Sequence, residues 1–579
     1  MTTFELWAPK PARVQLQAGA TTTDLARGEN GWWRVDLPAA GPGTDYAYLL
    51  DDDPQPIPDP RARWLPNGVH QPSRVYDGTA FTWTDDHWTG RQLAGSVLYE
   101  LHIGTFTPEG TFDAAIERLD HLRDLGVDLI EVLPINGFNG VHNWGYDGVA
   151  WYAVHEPYGG PDGFKRFVDA CHRRGLGVTL DVVYNHLGPS GNYLSRFGPY
   201  QKEGRNAWGD LINLDGPGSD EVRRYILDNM LGWFHDFHVD ALRLDAVHAL
   251  ADTRAVHLLE EASREVAVAS THLGRPLSLI AESDLNDPKL MTPVEAHGFG
   301  LDAAWDDDFH HAVHALLTGE RAGYYDDFGS IATVATVLTS AYFHAGSYST
   351  FRRRGQGRAV NRRDTPGHRF VVSLQNHDQI GNRATGDRLP ATLSPALLTI
   401  AAALMLTSPF TPMLFMGEEW GAGTPWQFFT SHPEPALAEA VERGRKAEFA
   451  EHGWGESEVP NPQDPQTFQR SKLDWSELDK PSHRALLDVY RRLIALRREV
   501  SDLTDPRLDR VTVCYDEDAR WLVVYRGDRH AVAVNLADTT QPIPLTTPPA
   551  RTLFGDWPGG ALPPHSVAIL ELCEDLPRL

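Results

Sequence analysis

From residue 96 onward, short apolar runs alternate with stretches of helical periodicity. SVLYELHIGTF (96–106), VDLIEVLPI (127–135), LGVTLDVVYN (176–185), ALRLDAV (241–247) and LSLIAES (277–283) read as buried strands. GLDAAWD (300–306), RFVVSLQN (369–376) and TPMLFMG (411–417) bring the series to eight. Between the first two, DAAIERLDHLRDLG (113–126) puts Ile116, Leu119, Leu122 and Leu125 on one face, and Gly126 supplies a helix stop. Further helices are expected at 163–175, 219–237 and 253–267. Strands apolar on both faces and separated by helices imply a parallel sheet covered by helices. Eight of them favour a closed (β/α)8 TIM barrel, an α/β fold. An open doubly wound sheet would need a glycine-rich phosphate turn after the first strand, and HIGTFTPEG is not one.

The flanks alternate with period two instead. FELWAPKPARVQLQ, GWWRVDL and DYAYLLDD lie between Gly- and Pro-rich turns, and the proline-rich DDDPQPIPDPRARWLP (51–66) can be neither helix nor central strand. After YRRLIALRRE (490–499), VTVCYDEDARWLVVYRGDRHAVAVNLAD and HSVAILEL return to strand-like alternation. The expected division is an N-terminal β-sandwich at 1–90, the barrel with its loop excursions at 91–488, and a C-terminal β-sandwich at 489–579.

A chain of 579 residues is too long for one core, which agrees with three domains. The net charge of −27 argues against nucleic acid as a partner, whereas a neutral substrate feels no penalty. No run of about eighteen apolar residues is present, so no membrane span is expected. MTTFELWAPK lacks a basic-then-apolar signal segment. Three cysteines make no disulfide framework; Cys171, Cys514 and Cys573 read as small core residues, and a cytoplasmic location is expected.

Four segments carry the chemistry: VTLDVVYNH (178–186), DALRLDAVHAL (240–250), SLIAESDLND (278–287) and VVSLQNHDQIGNR (371–383). Each ends an apolar run with acids, an amide or a histidine. Asp245, Glu282 and Asp378 are thereby set at the ends of separate strands, and carboxylates gathered from strand ends are what glycosidic bond chemistry uses. Alternation places Arg243 on the same face as Asp245, which favours the ionised carboxylate that a nucleophile needs. Glu282 emerges from an apolar wall, which favours the protonated form that a general acid needs. Asp181 is placed to cross-link Arg243, while Asn185 and His186, and His377 beside Asp378, would reach sugar hydroxyls or the loops. Any one of these acids could equally cap a turn or a helix; four matching segments on successive strands outweigh that reading.

No HxH or HExxH spacing occurs, and neither metal nor cofactor is expected. His310, His311 and His314 read as a solvated helix face, with Asp307 and Asp308 leaving a metal open. Trp144, Tyr146, Trp208, Trp305, Tyr324, Tyr325, Trp420 and Trp426 fall where rings could stack on sugar faces, or pack in the core.

In order and spacing the four segments resemble the signature regions of the α-amylase superfamily of glycoside hydrolases and transglycosylases, over roughly residues 96–480. The resemblance implies Asp245 as nucleophile, Glu282 as acid/base and Asp378 as transition-state stabiliser, with Arg243 holding the nucleophile. It implies Asn185, His186 and His377 as accompanying polar residues, Tyr146 as the platform under the sugar, and retention through a covalent glycosyl–enzyme. PDPRARWLPNGVHQPS (58–73), YELHIGTFTPEGTFD (99–113), NWGYDGVAWYAVHEPYGGPDG (143–163) and TFQRSKLDW (467–475) narrow the likeness. They are similar to the members that cut the α-1,4 bond between a maltooligosaccharide and a terminal trehalose. That likeness implies maltooligosyltrehalose as substrate, a synthase that supplies it, and added recognition on the leaving-group side. Candidates there are His248, Asp284, Asp287, Asp307, Asp308 and Phe309, for which helix capping is an equal alternative. A monomer is expected. A glycogen-branching transferase and a general α-1,4-glucan hydrolase share fold and acids, and a non-catalytic glycan-binding protein is the reading from another class.

Overall fold

The eight apolar runs close on themselves. In the computed structural model, which describes residues 2–451 and 459–573, they form β1 (Leu98–Leu101), β2 (Leu129–Val132), β3 (Gly177–Val182) and β4 (Ala241–Leu244). β5 (Ser278–Ala281), β6 (Ala303–Trp305), β7 (Phe370–Ser373) and β8 (Thr411–Phe415) complete the set. All pair in parallel in chain order, and β8 returns to β1 through Met413↔Leu98 and Phe415↔Glu100. Each strand stops short of its apolar run. The residues at the C-terminal ends leave the ladder to line the opening, and HIGTF turns at once into the short helix Ile103–Phe106 rather than prolonging β1.

Inward-pointing side chains stack in layers. Leu98, Leu129, Ala241, Ile280, Val371 and Met413 belong to an apolar floor. Above it the alternate inward positions become polar, because Glu100 pairs in register with Glu131, and Asp181 with Arg243. The barrel thus offers a sealed apolar base and a charged upper layer.

The helix expected at 113–126 is two, Phe112–Ile116 and Leu119–Leu125. Thr111 Oγ1 accepts from the Ala114 amide to start the first, and Gly126, at φ 101°, ends the second. The helix expected at 253–267 runs Leu258–Leu273. Asp252 delays its start by accepting from the Leu258 amide while bound to Arg223.

N-terminal to the barrel, strands Thr2–Trp7, Trp32–Leu37 and Ala26–Arg27 make one antiparallel sheet. Thr21–Asp24, Val14–Ala18, Asp45–Leu50 and Ser73–Arg74 make the other, with Phe4, Leu6, Leu16, Trp33 and Tyr48 in the shared core. This sandwich and the segment that leaves it pack against the barrel domain. Trp7 meets Tyr200 edge-on at 5.0 Å, and Arg61 reaches Asp228 at 2.9 Å and the Tyr152 hydroxyl at 3.0 Å. At the other end, Val511–Asp516, Trp521–Arg526, His530–Asn535, Ser566–Leu572 and Pro549–Phe554 form a five-stranded antiparallel sheet beside a two-stranded one, Gln541–Pro542 with Ala561–Leu562. Residues 574–579 of the expected C-terminal domain lie outside the described residues. The helix Pro481–Glu499 runs through residue 488, and its buried Arg497 donates to the carbonyls of Leu406, Ser408, Leu503 and Phe410.

The expectation of three core cysteines is corrected: Cys171 is buried, but Cys514 and Cys573 are exposed. Cys514 lies on the edge strand Val511–Asp516, whose side chains beyond Val513 face solvent. Among the described residues, no helix is long and apolar enough to cross a membrane.

Candidate active site

The residues at the C-terminal ends of β2 to β8 and the loops behind them line a cleft of about 700 Å³. Arg243, wholly buried on β4, organises it. Its Nη1 donates to both oxygens of Asp181 (3.0 and 2.9 Å) and to Asp245 Oδ1 (2.7 Å), and its Nη2 lies 3.7 Å from Glu282 Oε2. The guanidinium carbon sits 4.3 Å from the centre of the Trp305 ring, which occupies the barrel interior beneath it. Burial opposes the charge on Arg243, but the carboxylates around it prevail and hold it well above the ordinary arginine range. Burial pushes Asp181 up to about 6, with Arg243 pulling against it.

The two carboxylates spanned by this guanidinium are held differently. Both oxygens of Asp245 are occupied, Oδ1 by Arg243 and Oδ2 by Asn185 Nδ2 at 2.7 Å. Glu282 receives one short bond, from the Ala246 amide to Oε2 at 2.7 Å. Ala246 adopts φ 40°, a left-handed turn costly for a residue with a Cβ, which aims that amide at Glu282. Burial first, then Asp245 and Asp378, push Glu282 up to about 8 against the pull of Arg243.

Asp378 stands on the short helix His377–Gly381, whose Asn376 cap accepts from the Asp378 and Gln379 amides. Its side chain is 47% exposed, so it faces the cleft. His377 Nδ1 lies 2.6 Å from Glu100 Oε1, and its Nε2 2.8 Å from the Tyr146 hydroxyl, which itself donates to Asp181 Oδ2 at 2.6 Å. Burial disfavours the charged imidazole, but Asp378 and Glu100 raise it to about 9, so both ring nitrogens donate. The Tyr146 ring lies near-parallel to His377 at 5.1 Å. His186 closes the circuit, Nδ1 on Asn185 Oδ1 (2.5 Å) and Nε2 on the Tyr146 carbonyl (2.9 Å).

Tyr146 owes its place to Gly145. At φ 112°, a Cβ on Gly145 would lie 2.2 Å from the Pro134 carbonyl oxygen. Gly145→Ala is expected to shift the loop and lower kcat/KM about 10²-fold, as misplacing a binding group by an ångström does. Steady-state kinetics alongside an unchanged far-ultraviolet dichroism spectrum would check it.

On the far side of Glu282, His248 Nε2 stands 3.9 Å from Asp284 Oδ1, and Arg352 Nη2 2.7 Å from Asp284 Oδ2. Asp307, His311 and Tyr324 line the same part of the cleft. Asp308 does not: it lines a small side pocket, and its Oδ2 accepts from Asn286 Nδ2 and from the amides of Phe343 and His344. Asp287 caps the turn Pro288–Leu290, and Phe309 is buried. His310 and His314 are likewise buried, which corrects the solvated-face expectation; their helix packs its histidine edge on Tyr325. Of the ring candidates, Trp144, Tyr146, Trp208 and Tyr324 line the cleft, while Trp420 and Trp426 are core residues.

Comparison with known proteins gives the arrangement a lineage. The family model described as alpha amylase, catalytic domain, matches residues 71–209, and a domain of unknown function, DUF3459, matches 506–569. A malto-oligosyltrehalose trehalohydrolase of Rhizobium sp. (strain M-11) is 55% identical over 98% of this chain and 97% of its own. One from Arthrobacter ramosus is 60% identical over 86% and 87%. The chain belongs to the malto-oligosyltrehalose trehalohydrolase family. A solved structure from Salmonella typhimurium, described as a candidate alpha amylase, superposes with TM-score 0.91 at 38% identity, covering 99% of this chain and 97% of that one.

Within this trehalohydrolase-family scaffold, two residues of the site escape a reading of the sequence, Glu100 buried beneath His377 and Arg352 in the cleft lining. Glu100 was visible as a lone acid inside the apolar run of β1, the mark of an inward polar position. Arg352 lies in a charged stretch, RRR, and reaches Asp284 only because the hairpin Ser347–Ser349/Arg354–Gln356 folds toward the cleft. No local signal announces that.

Proposed function

We propose that this chain is a retaining glycoside hydrolase that cleaves the α-1,4 bond next to the terminal trehalose of maltooligosyltrehalose, releasing trehalose and a maltooligosaccharide. Asp245 attacks the anomeric carbon of the glucose at the cleavage point. The bond from that carbon to the leaving oxygen breaks, and Glu282 gives its proton to that oxygen. Glu282, now a carboxylate, takes a proton from water as the water oxygen bonds to the same carbon, and Asp245 departs. Asp378 opposes the positive charge that develops between the two steps. Asn185, His186, His377 and Tyr146 hold the sugar and the loops around it.

The observation that supports this most is the unequal treatment of two carboxylates across one guanidinium. Asp245 is held by two donors, and Glu282 is buried with a single one. The covalent step is tested with Glu282→Gln and a maltooligosyl fluoride, whose leaving group needs no acid. Mass spectrometry should find the glycosyl group on the peptide bearing Asp245; a label on any other residue sinks the assignment.

Recognition of trehalose falls to the leaving-group side, with His248, Asp284 and Arg352 facing the 1,1-linked unit. Asp284→Ala is expected to lower kcat/KM on the trehalose-ended substrate about tenfold, the worth of one strong hydrogen bond. Hydrolysis of plain maltooligosaccharide should change little, which parallel assays of the two substrates would check. Asp308 ties the 343–344 backbone rather than touching sugar. A synthase supplies the substrate, and the chain acts as a monomer in the cytoplasm, where its three free thiols suit a reducing environment.

A further inference from the structure

Behind the helix that carries Asp378 lies a second cavity, of about 240 Å³, between the 307–318 helix and the 382–392 segment. At about 30 Å³ per water molecule this is room for roughly eight waters. Three polar side chains at least nine-tenths buried line it, each with one atom that has no partner within the protein: His314 Nδ1, Gln379 Oε1 and Arg388 Nη2.

Their remaining bonds fix what each offers. His314 Nε2 is engaged with Glu320 Oε2 at 2.8 Å, which leaves Nδ1 as a lone-pair acceptor. Gln379 Nε2 donates to Asp307 Oδ1 at 3.1 Å, which leaves its Oε1 to accept. Arg388 spends Nε and Nη1 on the carbonyls of Thr424 and Met416, which leaves Nη2 to donate. The other cation, Arg383, is matched by Glu320 and Asp387, both at 2.9 Å. Two acceptors and one donor suit neither an anion, which the acceptors would repel, nor a cation, which Arg388 would repel. They suit hydroxyl groups, which give and take together.

We propose that this cavity is a second binding site for one neutral polyol of monosaccharide size. Gln379 joins it to catalysis, because its side chain lines both the cavity and the main cleft and its backbone follows Asp378. An occupant bonded to Gln379 Oε1 fixes that amide, and with it Asp307 and the turn that presents Asp378. Occupancy therefore acts on kcat, while any sugar competing in the main cleft acts on KM.

The test uses D-glucose as probe. Crystals soaked in it should show a pyranose ring in the cavity within hydrogen-bond distance of Arg388 Nη2. In solution, D-glucose should change the kcat for trehalose release by about twofold or more. Thr392→Trp, at the exposed mouth, should abolish the kcat change relative to its own glucose-free rate and leave the KM effect. Thr318→Trp, on the opposite lip, serves if that variant misfolds. Water alone in the soaked cavity, or a KM effect alone that neither variant alters, would overturn the proposal. The density readout stands even if trehalose release is not the reaction.

Discussion

Replacing Glu282 by glutamine is expected to lower kcat by about 10²–10⁴-fold, the range for loss of a positioned general acid, with little change in KM. The same substitution should alter the pH profile. Glu282 works as an acid and is pushed up to about 8, mainly by burial, so the free enzyme loses its active form as pH rises through about 8. The alkaline limb of kcat/KM in the wild type should therefore fall near that value, and Glu282→Gln should lack it. An alkaline limb that persists unchanged in the variant would assign the titration to another group and remove Glu282 from the acid's role.

Arg243→Leu is expected to be more damaging to the fold than any other single change in the cleft. It deletes what is, among the described residues, the one cation touching Asp181, Asp245 and Glu282, while leaving the carboxyl groups buried together. Breaking a buried ion pair by removing one partner costs about 3–5 kcal/mol, and two carboxylates, Asp181 and Asp245, share this partner. The midpoint of denaturant unfolding should fall, and residual activity should vanish because Asp245 loses one of its two donors. Adding Asp181→Asn should recover part of the stability by removing one uncompensated charge, without recovering turnover. If Arg243→Leu unfolds at the wild-type midpoint, the upper barrel layer is not held by that charge network.

The barrel was legible because burial on both faces writes continuous apolar runs, and all eight were found. Their ends were read too long, since the residues that leave the ladder, such as Asn185 and Asn376, follow the runs without a break. The Asp181–Arg243–Asp245 triad follows from period-two alternation on neighbouring strands and needs no tertiary knowledge. What alternation cannot reveal is where a loop returns. Arg352, Asp307 and Tyr324 reach the cleft by excursions after β6, and Asp308, one residue from Asp307, turns to the 343–344 backbone instead. His310 and His314 were misread for a related reason. A polar face on a helix looks solvated until a neighbouring loop, here the one bearing Tyr325, covers it.

The most direct measurement is product analysis with maltopentaose and its trehalose-ended counterpart as paired substrates, using wild type and Asp245→Ala. Free trehalose from the second, little cleavage of the first and silence in the variant are expected. Equal cleavage of both substrates, or α-1,6 branches formed on a longer glucan, would contradict the assignment of a trehalose-releasing hydrolase.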